Sequence, residues 1–287
     1  MALQRIRLQE TIRRERLKHG PIADAMAGVK YKIAIISGKG GVGKTSLTVN
    51  LGAALRESGA QVGIFDADIH GPGVHKMLGI QPGADIMRGG FHLNPLVSKE
   101  GVKMMSVALI WPGEMTPAMW RGPYKMKVIR QLLAAAVWDE LDFLLVDLPP
   151  GTGDEVMAIM EAIPDLSGVL VVTTPQDVAT VICGKAVNAT RELGVAVLGV
   201  VENMGPLKCP HCGEQIHLFG KDGGEEFARN MEIPFLGRIP FDIRVNQAAD
   251  EGVTLLRRYP ESGAAEAFRS IASRVKQEIE GKPDGHQ

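Results

Sequence analysis

Cysteine is scarce in this chain: 287 residues contain three, at positions 183, 209 and 212. A small odd number cannot build a disulfide framework, and it points to a reducing, cytoplasmic setting. No apolar run is long enough to cross a bilayer, and the first residues lack the apolar core of a secretory signal. An excess of charge of one sign is also missing. The formal net charge is −1 at pH 7, which leaves no global field for nucleic acid. The expectation is therefore no membrane partner and no nucleic-acid partner. Hydrophobic residues make up 45% of the chain, enough for a sizeable core and against general disorder. There is no internal repeat and no low-complexity segment.

What the chain does have is an alternation of strand-like and helix-like segments. Strands are expected over 32–37, 61–66, 103–107, 142–147, 168–173, 196–201 and 235–238. They are short, β-branched and nearly continuous in apolar residues, the pattern of a parallel sheet covered on both faces. Helices are expected over 45–58, 123–139, 154–162, 176–193, 222–230 and 261–279. In the last, Ala264, Phe268, Ile271, Val275 and Ile279 recur at helical spacing and give one stripe to pack on the sheet. The fold class is α/β: a doubly wound, mostly parallel sheet with helices on both faces, binding ligands beyond the carboxyl ends of its strands. Residues 1–29 form a basic arm carrying Arg5, Arg7, Arg13, Arg14, Arg16 and Lys18, read as a solvated charge run. Gly20-Pro21 is expected to end any helix there. One domain follows over 30–280, with a Cys-x-x-Cys insertion at 205–220 and a loose tail at 281–287.

The stretch Gly38-Lys39-Gly40-Gly41-Val42-Gly43-Lys44-Thr45 fits the phosphate-cradling pattern of Gly, four residues, Gly, Lys, Ser/Thr. An apolar strand leads in and a helix leads out. Glycines let successive N–H groups turn toward phosphate oxygens, and the helix N-terminus adds partial positive charge. Lys44 is expected to reach the terminal phosphates and Thr45 to hold magnesium, with Ser46 completing the nucleotide-binding run. Lys39 is a second lysine inside the loop, which places the loop in the deviant Walker A class. There such a lysine resembles a finger reaching the partner subunit's nucleotide, supplying positive charge in the transition state.

Two more strands end in acids. The segment Phe65-Asp66-Ala67-Asp68 puts Asp68 where it can orient or deprotonate the attacking water and Asp66 where it can support the magnesium shell. The alternative for either is an Asx turn. The strand Phe143-Leu144-Leu145-Val146 ends at Asp147, the expected second magnesium element of a P-loop ATPase. The Pro/Gly segment after it can move with the terminal phosphate.

Cys209-Pro210-His211-Cys212-Gly213 has metal-ligand spacing but supplies two ligands where a closed zinc site or a cubane cluster takes four. His211 or His217 can complete a zinc knuckle, or two chains can each bring a pair to a two-fold axis. A redox dithiol lacks its expected context. Spacing alone favours zinc. Cys183, within an expected helix, reads as a small buried apolar residue.

The chain resembles the Mrp/ApbC family of iron–sulfur cluster carrier ATPases, within the MinD-type P-loop class. The resemblance rests on Ser37 to Thr45, Asp66 to Pro72, Trp120-Arg121-Gly122-Pro123 and Asp147-Leu148-Pro149-Pro150-Gly151-Thr152-Gly153-Asp154. It also rests on Thr173 to Gln176, Glu202-Asn203-Met204, Cys209 to Gly213 and Gly237 to Pro240. It implies a homodimer that hydrolyses ATP slowly with Mg2+. It implies a 4Fe-4S cluster bridged between subunits by Cys209 and Cys212 of each, handed on to apo iron–sulfur proteins. It implies that Asn203 reads adenine, with Pro240 and Asp242 beside the base. A positioning ATPase of the MinD/ParA sort, and an ATPase with a structural zinc site, are the competing readings. The first needs a basic amphipathic terminal helix or a basic surface, but Glu278 and Glu280 sit among the bases of the last helix and the chain is near neutral, which leaves the basic N-terminal arm as its only support.

Overall fold

The computed structural model describes residues 20–81, 86–89, 92–110, 122–151, 153–209 and 211–281. Most of the expected basic arm, Trp120-Arg121, Thr152, Pro210 and the tail from 282 lie outside these. Its centre is an eight-stranded sheet in the order β12-β9-β8-β1-β7-β2-β6-β5. The strands that position the site are β1 (Val29–Ser37), β2 (Val62–Asp66), β6 (Lys103–Ser106), β7 (Leu141–Asp147), β8 (Gly168–Thr173), β9 (Val197–Gly205) and β12 (Phe235–Pro240). These pair in parallel. Only β5 (Leu96–Val97) joins antiparallel, at the β6 edge. β2 and β8 are buried along their whole length, as the unbroken apolar runs require.

Helix α1 (Lys44–Glu57) follows β1, and the terminal helix α9 (Gly263–Glu280) packs against it and against β12. The α9 stripe expected from spacing is buried, Ala264, Phe268, Ile271, Val275 and Ile279 included, and Ser262 caps its N-terminus by accepting from the Ala265 N–H. A second group of helices comprises α3 (Gly122–Ala135), α4 (Asp154–Ala162), α5 (Asp177–Glu192) and α6 (Gly223–Asn230). Within this group α3 packs on α4 and α5 on α6.

Several expectations need correction. Any helix that Gly20-Pro21 was expected to end lies outside the described residues, but residues 20–25 are themselves helical, and Ile22 and Met26 are buried in the core, so the end of the basic arm, expected to be solvated, is part of the packed body. The helix expected to reach 139 stops at Ala135, because Ala136 bridges to Leu93 and the Val137 N–H donates to the Leu93 carbonyl. β9 runs on to Gly205, past the expected 201, because β12 pairs with it as far as Pro240. Elements too short to show periodicity were not expected. They include α2 (Val74–Met77), α7 (Ile243–Asp250), α8 (Leu255–Arg258), β3 (Met87–Gly89), β4 (His92–Leu93) and the β10–β11 hairpin (Leu207–Lys208 with Gln215–Ile216).

Candidate functional site

The loop from Gly38 to Gly43 leaves the centre of the sheet at the carboxyl end of β1. Gly41 and Gly43 have φ of +80° and +84°, a backbone that side chains resist. At Gly43 a Cβ would also overlap the Asn203 amide. Lys44 opens α1 with no side chain capping it, so the first-turn N–H groups face the loop and suit an anion. Ser37 Oγ donates to the Lys39 carbonyl at 3.0 Å and holds the loop's first bend.

Asp147 is the hub beneath this loop. It is fully buried at the end of β7. Thr45 Oγ1 donates to its Oδ2 at 2.7 Å, and Thr48 Oγ1 lies 2.7 Å from its Oδ1. Lys44 Nζ is 2.8 Å from Oδ1, an ion pair without the alignment of a hydrogen bond. Asp66 stands opposite Asp147 in the β2–β7 register, so two carboxylates end adjacent strands side by side. Burial, and then the Asp147 charge, push the Asp66 carboxyl well above its ordinary range, with Lys44 pulling the other way. A hydroxyl already on a carboxylate, with a second buried carboxyl beside it, is a set of hard oxygen donors that fits magnesium. Asp68 is half-buried, and its Oδ1 accepts from the His70 and Gly71 N–H groups at 3.1 and 3.2 Å. The Asx turn weighed from the sequence is therefore present.

Lys39 Nζ donates to Gln176 Oε1 of the same chain at 2.7 Å. Asn203 Nδ2 donates to the Val42 carbonyl at 2.8 Å, so this side chain braces the phosphate loop. Pro240 pairs with Gly205 in the β9–β12 ladder. Asp242 caps α7 through the Arg244 N–H at 3.0 Å and pairs with the Arg244 guanidinium at 2.7 Å. Burial opposes that charge, but Arg244 prevails and holds the carboxyl below its usual value.

Cys209 and Cys212 flank the turn of the β10–β11 hairpin, the first half-buried and the second exposed. The turn folds back through the Gly213 N–H on the Cys209 carbonyl (2.9 Å) and the Cys209 N–H on the Glu214 carbonyl (2.8 Å). Hydrogen bonds from the Cys212 and His211 backbone, and from the Cys212 thiol, lower the Cys209 pKa from 9.0, which favours the thiolate that metals bind. Among the described residues no three His, Cys, Asp or Glu side chains gather to hold a metal, so neither His211 nor His217 completes a site with the pair. Cys183 is buried, as expected, and burial raises its pKa.

Four contributors were given no role from the sequence. Thr48 stands one helical turn beyond Lys44, so i+4 spacing could have flagged it. Lys125 of α3 contacts the His70 ring and lies 3.7 Å from Glu155 Oε2. Glu202 and Arg238, both inside quoted motifs without a role, form an ion pair across β9 and β12, the carboxylate fully buried and the guanidinium half-buried.

The family model for the NUBPL iron-transfer P-loop NTPase matches residues 28–276. An iron–sulfur cluster carrier protein of Methanocaldococcus jannaschii is 44% identical over 263 residues, covering 92% of this chain and 90% of that protein. One from Pyrococcus furiosus is 45% identical over 269 residues, 90% of each. Among solved structures, a nucleotide-binding protein of Archaeoglobus fulgidus in complex with ADP shares 33% identity at a TM-score of 0.74, covering 87% of this chain and 96% of that one. The cell division ATPase MinD of Pyrococcus furiosus shares 26% at 0.64, covering 86% and 99%. A loop with the lysine–threonine–aspartate hub of a P-loop enzyme, and a match running almost from end to end, lead to one assignment: the chain belongs to the NUBPL iron-transfer P-loop NTPase family.

Proposed function

We propose that this chain is an ATP-hydrolysing carrier that takes up a 4Fe-4S cluster as cargo and hands it to apo iron–sulfur proteins. The observation that carries the reading is the coexistence, in one chain, of the Asp147 hub under a phosphate loop and a thiol pair whose Cys209 is tuned toward thiolate. The naming of its relatives as iron–sulfur cluster carriers supports it. Two thiolates per chain suit a homodimer, with each copy bringing Cys209 and Cys212 to a shared axis.

In this reading residues 38–46 cradle the ATP phosphates, and Lys44 leaves Asp147 for them. Thr45 and Asp147 hold Mg2+, and Asp66 supports it through water; the ion supplies charge neutralisation at the phosphates. Asp68 orients the attacking water. Lys39 leaves Gln176 for the nucleotide of the partner subunit. Asn203, next to Val42, contacts the adenine, with Pro240 and Asp242 beside it. No helix among the described residues is long and apolar enough to cross a membrane. The reading is of a cytoplasmic protein acting on proteins rather than on membrane or nucleic acid.

The test is metal and acid-labile sulfide analysis of protein purified without oxygen. Iron and sulfide lost together in Cys209→Ala support the carrier. Lys44→Ala is expected to load cluster but fail to deliver it. Stoichiometric zinc retained in air, or a strictly monomeric protein after anaerobic reconstitution, would overturn the reading.

A further inference from the structure

The Cys-x-x-Cys excursion leaves the sheet at Gly205, the last residue of β9, and rejoins the body at Gly223, the first residue of α6. Both ends close on one side chain, Arg238 of β12. At the leaving end Arg238 stands opposite Glu202 in the ladder and its Nε bonds Glu202 Oε1. Its stem fills the space beside Gly205, where a Cβ would fall 2.6 Å from Arg238 Cγ. At the returning end Arg238 Nη2 donates to Asp222 Oδ1 at 2.6 Å and lies 3.7 Å from Glu225 Oε2. Glu202 is fully buried, and its second oxygen accepts from the Gly224 N–H at 2.7 Å. The guanidinium fork and the buried carboxylate thus lock the two stems of the excursion to each other.

One stem touches the phosphate loop directly, and the other reaches it through Pro175 and Gln176. Next to Glu202, Asn203 holds the Val42 carbonyl at 2.8 Å. At the other stem Gly220 and Gly223 face the Pro175 carbonyl so closely that a Cβ on either would crowd it. The adjoining Gln176 accepts from Lys39 Nζ. Val42 and Lys39 lie in the loop that must adjust around phosphates. A shift there reaches one stem through Asn203 and the other through Gln176–Pro175.

We propose that Arg238 is a positioning residue that makes the two stems move as one unit, so that the phosphate loop sets the placement of the Cys209–Cys212 pair. This rests on the carrier reading. Without the clamp each stem responds separately and the thiol pair no longer follows the nucleotide.

The experiment uses the full chain, loaded anaerobically, and measures iron release to the ferrous chelator bathophenanthroline with Mg-ATP and with Mg-ADP. Asp222→Asn removes the charge from the exposed leg of the clamp and so weakens it, and asparagine tolerates the left-handed backbone there (φ 56°). Glu202→Gln with Arg238→Met removes the inner pair without stranding a buried charge. The ATP-to-ADP ratio of release rates is expected to fall to about one in the double variant and to drop roughly by half in Asp222→Asn, a loss of coupling energy rather than of binding. Iron per chain and ATP turnover stay within about twofold of wild type, since the bonds of these three side chains go to one another, Gly224 and Glu225 rather than to the phosphate loop or the thiols. Arg238→Lys keeps the charge but not the fork and restores the ratio only in part. A wild-type ratio in Asp222→Asn and in the folded double variant would overturn the proposal and reduce the clamp to a structural ion pair. Should the double variant fail to fold, Asp222→Asn alone decides. A wild-type protein that binds no iron and sulfide, or releases them equally with either nucleotide, is the separate signature of a failed carrier reading, and the inference falls with it.

Discussion

Lys44 Nζ lies 2.8 Å from Asp147 Oδ1, with the lysine 6% exposed and the aspartate fully buried. The ammonium that the loop motif is expected to aim at phosphate thus rests on the carboxylate proposed above to hold magnesium. Lys44→Ala leaves Asp147 with two threonine hydroxyls but no cation, and should destabilise the protein by about 3 kcal/mol. Adding Asp147→Asn removes the stranded charge and should recover most of that loss. Neither variant should hydrolyse ATP at better than about one-hundredth of the wild-type rate. Urea unfolding alongside a phosphate-release assay checks both. Equal stability of single and double variants would show that Lys44 does not compensate Asp147.

Asp66 should behave as a stability cost held for function. Burial, and then Asp147, raise its folded-state pKa well above 3.8. The folded protein therefore keeps a proton that the unfolded chain has already released. Stability that is full below the unfolded value is lost as pH climbs toward the folded one. Asp66→Asn removes this loss. At pH 7 it should raise the melting temperature by roughly 2–4 °C for each ~1 kcal/mol recovered, while slowing ATP hydrolysis. The gain should shrink as pH is lowered toward the carboxylate range. Calorimetry across pH would refute the account if the gain were constant.

Much of this site was legible because its parts are local. β1, the glycine loop and α1 form one continuous stretch, and Asp66 and Asp147 announce themselves as acids closing apolar strands. The ladder that sets them side by side follows from both being strand ends in one parallel sheet. What could not be read are pairings made by topology. Lys125 meets His70 across 55 positions of sequence, and Arg238 meets Glu202 across 36, with no periodicity linking them. The early end of α3 has the same origin, a tertiary bridge from Leu93 that overrides helical propensity. The resemblance implies nucleotide contacts for Asn203 and Lys39; that they also bond Val42 and Gln176 within the chain follows from no local pattern.

Lys125 joins the turn after β2 to the first turn of α4 through His70 and Glu155. The second follows directly on the Pro/Gly segment expected to move with the terminal phosphate, and the first follows Asp68. Lys125→Met keeps the buried stem and strands no charge, because Glu155 is 29% exposed. Amide exchange over 69–74 and 154–157 should quicken by about tenfold while the central strands stay protected. Turnover should fall more than nucleotide affinity. Exchange that rises uniformly over the sheet would mean that Lys125 supports the fold as a whole.

The cysteines should separate by reactivity, because their environments differ in kind. Backbone hydrogen bonds from Cys212 and then His211, with the Cys212 thiol, pull the Cys209 pKa below 9.0 at an accessible turn. Burial pushes Cys183 the other way, and its thiol lies 3.8 Å from the Val172 carbonyl inside the core. Only the thiolate attacks iodoacetamide. Near neutral pH Cys209 should therefore be alkylated first, and its rate should rise with pH and level off at a lower pH than for a free thiol. Cys183 should react only after denaturation. Loading with iron and sulfide should silence Cys209 and Cys212 together and leave the protection of Cys183 unchanged. Peptide mass spectrometry of timed samples reads all three sites at once. Labelling of Cys183 at a rate close to that of Cys209 in the native protein would contradict the burial that sets them apart.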